Sequence, residues 1–166
     1  RRLMIEIWDA YDEQFNKIEN VRLVRGEIIP DSMYHLVCEI IVKHNDGTYL
    51  LMQRDFNKHL GGMWELTAGG SALKGETPIE CAIRELREET GIESSDLKEI
   101  RRISHEGHRS LYVEYLCITD WDKNDIILQE GETIGYKWVD KTEILKMEQN
   151  GLASSRALEL VKELNI

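Results

Sequence analysis

The chain has 166 residues, 42% of them hydrophobic, which is the size and composition of one folded domain around a single core. Lys plus Arg number 21 against 31 Asp plus Glu, and the formal charge of −10 disfavours an extended nucleic-acid surface unless a local basic patch or bound metal reverses the field. No apolar run of about 18 residues is present, so no membrane span or secretion signal is expected; Cys38, Cys81 and Cys117 make no CxxC pair and sit among apolar neighbours, as reduced thiols of a cytoplasmic protein do.

In chain order, residues 4–8 alternate and then meet Asp9, Asp12 and Asn16-Lys17, which predicts a short hairpin within an N-terminal extension of residues 1–30. Residues 34–42 are long, apolar and rich in β-branched side chains; Asn45-Asp46-Gly47 marks a turn and residues 49–53 form the partner strand of a hairpin. Trp64-Glu65-Leu66 ends a strand, and Thr67-Ala68-Gly69-Gly70 reads as a glycine turn whose backbone can approach a ligand and offer it a carbonyl. A helix then starts at Thr77, which caps it, with Pro78 in the first helical position, Glu80 closing a capping box and Gly91 as the stop. Residues 98–104 and 110–118 form a second strand pair around Glu106-Gly107-His108, and residues 136–139 a further short strand. Asp140 and Glu143 cap another helix, and a last one covers about 154–164 with Leu158, Val161 and Leu164 on one stripe. Strands and helices without regular βαβ alternation, and without a repeat or linker, predict a single α+β domain over 1–166 with a mixed sheet between helices.

The chemistry concentrates in the helix that follows Thr77. At about 100° per residue, Glu88, Glu85 and Glu89 share one sector about 100° wide, apart from the apolar stripe of Ile79, Ala82, Ile83, Leu86 and Thr90. Three like charges within two turns repel, so something must offset them. Either the face is solvated and relieved by Arg84 and Arg87, or the carboxylates hold a hard divalent cation, for which oxygen donors are suited. The neighbouring glycine pair favours the cation, and Arg84 can reach back to Glu76 to hold loop and helix in register. The five histidines and three cysteines show no zinc-ligand spacing.

Gly70, Glu76, Arg84-Glu85, Leu86, Glu88-Glu89, Gly91 and Ile92 match every position of a 23-residue pattern, residues 70–92, and in this the chain resembles the Nudix hydrolases. The resemblance implies the Nudix fold and hydrolysis of a diphosphate (P–O–P) linkage in a nucleoside diphosphate bearing another moiety, or a related organic diphosphate. It implies magnesium or manganese on Glu85, Glu88, Glu89 and the carbonyl of Gly69. Gly70, Glu76, Arg84 and Gly91 would support the site. The general base would be Glu85 or Glu132, which lies six residues ahead of Trp138, with Glu130 as rival. Arg54 and Lys58 are the candidate phosphate grips, and Trp64 or Tyr112 the candidate stacking platforms. Around Trp8-Asp9-Ala10-Tyr11-Asp12, Arg25-Gly26-Glu27 and Tyr34-His35-Leu36 the chain is also similar to the isopentenyl-diphosphate isomerase branch, which needs a cysteine where this chain has Gly69. Isomerase activity and a non-catalytic binding module are therefore the alternatives to a hydrolase. The implied partner is a small-molecule diphosphate; a homodimer is compatible with the fold, with the front hairpin as the candidate contact.

Overall fold

In the computed structural model, residues 5–147 and 151–166 are described; they form β1 (Ile7–Tyr11), β2 (Lys17–Val24), β3 (His35–His44), β4 (Tyr49–Arg54), β5 (Trp64–Glu65), β6 (Thr67–Ser71), α1 (Pro78–Thr90), β7 (Leu97–His105), β8 (Ser110–Thr119), β9 (Thr133–Val139), α2 (Lys141–Lys146) and α3 (Arg156–Leu164). The apolar run near residue 34 becomes β3, the strand that organises the rest. It pairs antiparallel with β6 on one side, Val37 opposite Ser71 through Ile41 opposite Thr67, and parallel with β8 on the other, His35 opposite Ser110 through His44 opposite Thr119. β7 extends this sheet beyond β8, while β4 carries β5 and β9.

Because side chains alternate across a strand, β3 feeds two cores. Leu36, Cys38, Ile40 and Val42 pack with Cys81, Ala82 and Leu86 of α1, whereas Ile41 packs with Ile144 of α2 and Ala157, Leu158, Leu160 and Val161 of α3. The mixed sheet thus lies between helices, as the sequence predicts. Among the described residues no helix is long and apolar enough to cross a membrane.

Three expectations are corrected. The hairpin of residues 34–42 and 49–53 has its turn, with Gly47 at φ 94°, but β3 and β4 meet only at Lys43 opposite Tyr49. β3 is buried on both faces and takes β6 and β8 as neighbours, so β4 diverges to β5 and β9. The Gly69-Gly70 pair lies inside strand β6 instead of a turn. Here glycine permits close approach: a Cβ on residue 69 would overlap the carbonyl oxygen of Cys38, and one on residue 70 the carboxylate of Glu85. The front strand runs over Ile7–Tyr11 instead of 4–8, Met4 lying outside the described residues. Polar Asp9 breaks the pattern in sequence, yet it is buried because the Gly75 N–H donates to it at 2.7 Å and Lys17 and Lys74 pair with it at 3.4 and 3.6 Å. The β1–β2 hairpin is tied to the domain at both ends: Lys74 N–H donates to the Ile7 carbonyl at 2.9 Å, and Tyr11 and Tyr34 exchange backbone bonds of 2.9 Å.

Candidate active site

α1 is fixed at both ends before any ligand is considered. Thr77 Oγ1 accepts from the Glu80 N–H at 3.3 Å and Glu80 returns the bond to the Thr77 N–H at 2.9 Å; Gly91, at φ 81°, closes the other end with its N–H on the Arg87 carbonyl. Within this frame Arg84 reaches back to Glu76 with a two-pronged ion pair, Nε to Oε2 at 2.6 Å and Nη2 to Oε1 at 2.9 Å, and Glu76 also accepts from the Leu73 N–H. Arg84 Nη1 reaches Glu85 and Glu88, both at 3.2 Å, while Nη2 also donates to the Ser71 carbonyl at 3.1 Å. Glu89 turns the other way, accepting from the Gly69 N–H at 2.8 Å.

Arg84, Glu85, Glu88 and Glu89 line one cleft of about 530 Å³, together with Gly69, Gly70, Arg54, Lys58 and Glu132. Its electrostatics are those of carboxylates short of counter-charge. Burial pushes the Glu85 carboxyl up to about 7, against the pull of Arg84 and with a further push from Glu88. Burial raises Glu89 well above the usual carboxylate range too, the Gly69 N–H opposing only part of it. Among the described residues no three acidic, histidine or cysteine side chains form a ready-made cation cage. The reason is visible: Arg84 draws Glu85 and Glu88 to itself while Gly69 holds Glu89. The donors are all oxygen atoms on one cleft wall, a set whose chemistry fits a hard divalent ion.

The predicted grips and base also reach this cleft. Arg54 pairs with Glu65 and donates to the His59 carbonyl at 2.8 Å, while Lys58 pairs with Glu132. Glu132 faces the cleft and Glu130, an exposed neighbour, does not line it. The two stacking candidates lie elsewhere. Trp64 is covered by Lys137, whose Nζ sits 4.5 Å from the ring centre, and Tyr112 is buried under Arg156, 3.9 Å from the ring centre to the guanidinium carbon. Sequence reasoning missed Glu65, Glu6 and Arg25 as lining residues. Glu65 comes close to Arg54 only because β5 pairs with β4, Gln53 opposite Trp64; the hairpin residues arrive by the docking of β1 and β2. No local spacing encodes either.

A second cavity of about 240 Å³ adjoins the cleft and shares Arg54 and Glu65 with it; Leu60, Leu66, Ala153 and Ala157 give it apolar patches, and Glu39 and Arg156 are part of its lining. Those two residues belong to a compact ionic network. Glu39 of β3 faces Glu114 of β8, which faces Arg101 of β7. Arg101 Nε binds Glu114 at 2.6 Å and Arg156 binds Glu39 through two bonds of 2.7 and 3.1 Å, with Glu114 at 3.9 Å.

A family model described as NUDIX domain matches residues 33–160. The chain is 32% identical over 149 residues to the uncharacterized Nudix hydrolase lmo0368 of Listeria monocytogenes, covering 89% of this chain and 87% of that one. It is 31% identical over 99 residues to an 8-oxo-dGTP diphosphatase of Proteus vulgaris, covering 58% of this chain and 85% of the relative. The crystal structure of DR0079 from Deinococcus radiodurans superposes with a TM-score of 0.74 at 19% identity, over 95% of this chain and 98% of the other, a likeness of fold.

Proposed function

The chain belongs to the NUDIX domain family and is a pyrophosphohydrolase, and on that premise we propose that it cleaves the P–O–P bond of a nucleoside diphosphate linked to a further group, with magnesium or manganese held by Glu85, Glu88, Glu89 and the Gly69 carbonyl. The observation that carries this reading is the pair of carboxyls raised by burial, Glu85 and Glu89, in a cleft that Arg54 and Lys58 also line. When bound, a divalent ion supplies charge neutralisation of the phosphates and a water of lowered pKa.

The rest falls to the chain's own groups. Arg54 and Lys58, now paired with Glu65 and Glu132, exchange those carboxylates for phosphate oxygens, the guanidinium fork contacting two at once. Glu132 is then released into the cleft. It or Glu85 accepts the proton of the attacking water. Arg84 and Glu76 hold the wall in register, and Gly70 leaves room for the Glu85 carboxylate against β6. The adjoining cavity, with apolar patches at Leu60, Leu66 and Ala157, takes the organic part of the substrate. The diphosphatase relative makes nucleoside triphosphates the first compounds to test.

Isomerase chemistry is disfavoured by more than the missing thiol, since a Cβ at residue 69 overlaps the β3 backbone. A binding module without turnover is disfavoured because Glu85, Glu88 and Glu89 all line the cleft. The deciding experiment measures product release from a panel of diphosphates with saturating magnesium for wild type, Glu85→Gln and Glu132→Gln. Metal-dependent turnover that collapses in Glu85→Gln supports the reading, and a deeper loss in one variant identifies the base. Unchanged turnover in both overturns it.

A further inference from the structure

The β1–β2 hairpin lies outside the NUDIX-matched segment 33–160, yet two of its flanking residues, Glu6 and Arg25, line the cleft beside Glu85 and Gly70. Their placement is rigid. Trp8 stacks on His35 at 4.1 Å between ring centres with planes 13° apart, and its indole N–H donates to Glu6 at 2.8 Å. Arg25 lies over the same indole, 5.7 Å from its centre, and donates to Glu6 at 3.1 Å, while its backbone N–H binds the Glu6 carbonyl at 3.0 Å. The hairpin therefore presents a guanidinium on a braced aromatic platform. Such a platform limits the side-chain ordering that ligand binding would otherwise cost.

The four cleft cations differ in how far they are committed. The side chains of Arg84, Arg54 and Lys58 are 18%, 21% and 29% exposed and each is locked to carboxylates; that of Arg25 is 61% exposed and its carboxylate partner Glu6 binds one terminal nitrogen. Most of its donor fork thus faces open space at the rim. The surroundings of Arg54 and Arg25 also differ. Arg54 borders the adjoining cavity as well, where Leu60, Leu66 and Ala157 alternate with polar side chains such as His59 and Arg156; Arg25 borders only the cleft, beside Glu6 and Arg84.

We propose that Arg25, braced by Trp8 and Glu6, binds the free terminal phosphoryl group of the substrate, so that the hairpin selects diphosphates with one uncapped end over those capped at both. The proposal rests on the reading above that a diphosphate occupies the cleft. A terminal phosphoryl carries more charge and more unshared oxygens than a bridging diester, which is what a fork with spare donors discriminates.

The test is calorimetric titration with two ligands that cannot be hydrolysed, in magnesium buffer: a methylene-bridged nucleoside triphosphate and a methylene-bridged dinucleoside diphosphate. Arg25→Ala should weaken the first tenfold or more and the second less than threefold. Arg22→Ala removes the same charge from an exposed site on β2 outside the cleft and should change either by less than twofold. Equal weakening of both ligands by Arg25→Ala, an Arg22→Ala effect as large, or no binding of the triphosphate analogue by wild type overturns the proposal. Selective binding without hydrolysis of any diphosphate would instead sink the hydrolase reading and leave this one standing.

Discussion

Two groups of glutamates gather in this protein, and they are balanced differently. Around β3, β7, β8 and the start of α3, Glu39 and Glu114 are matched by Arg101 and Arg156, two cations for two anions, although Glu114 is 1% exposed. Along α1, Arg84 alone serves Glu76, Glu85 and Glu88, and Glu89 has a backbone N–H for its partner. In the first group each glutamate has its own arginine, yet Glu114 Oε2 has no hydrogen-bond partner and burial lifts the Glu114 carboxyl to about 7. In the second, one arginine faces three carboxylates, and it is this larger deficit of positive charge to which our proposed function assigns cation and substrate binding.

The largest effect that would break this comparison is catalytic. Glu85→Gln should lower kcat by about a thousandfold or more, roughly 4 kcal/mol of barrier, measured at saturating magnesium. If the network residues are purely structural, Arg101→Met should leave turnover per folded molecule near wild type but destabilise the chain by about 3–5 kcal/mol, because Glu114 then stays buried with its nearest cation gone; thermal and urea unfolding check it.

A smaller effect has the opposite sign for stability. The Glu85 carboxyl titrates near 7 in the folded chain against about 4.5 unfolded, so its contribution favours folding below pH 4.5 and is lost as the pH climbs through 7. In chelator, Glu85→Gln should therefore match wild type near pH 4 and exceed it at pH 8 by on the order of 1–3 kcal/mol. Urea midpoints across that range would show it, and a variant less stable than wild type at pH 8 would refute the idea of a charge deficit. Smallest of all, Thr77→Ala removes the cap that sets the helix register and should cost about 1 kcal/mol, seen as a lower melting temperature with the metal-dependent activity retained.

How much of this was legible in the sequence follows from how local each determinant is. The limits of α1 could be read because cap, capping-box glutamate and stop glycine lie within one segment, and the Arg84–Glu76 pair because eight residues across a loop and two turns bring them together. Glu132 was implied by the family resemblance, through its spacing to Trp138, and it lines the cleft. Glu65 and Arg25 were not, since strand pairing and hairpin docking bring them to the cleft. The glycine pair was read as a turn that lets the backbone approach a ligand; in the structure it lies in a strand, and the close approaches are of β6 to β3 and of the Glu85 carboxylate to β6.

The parallel pairing of β3 with β8 has a consequence for the nascent chain. Residues 35 and 110 must come together across everything between them, including the whole of α1, and such a distant contact is slow to form. Until β8 has left the ribosome, β3 lacks one neighbour and the cover over α1 is incomplete. The core beneath α1 closes only when Leu111, Val113 and Tyr115 of β8 arrive, so the carboxylate-bearing helix is seated late in folding.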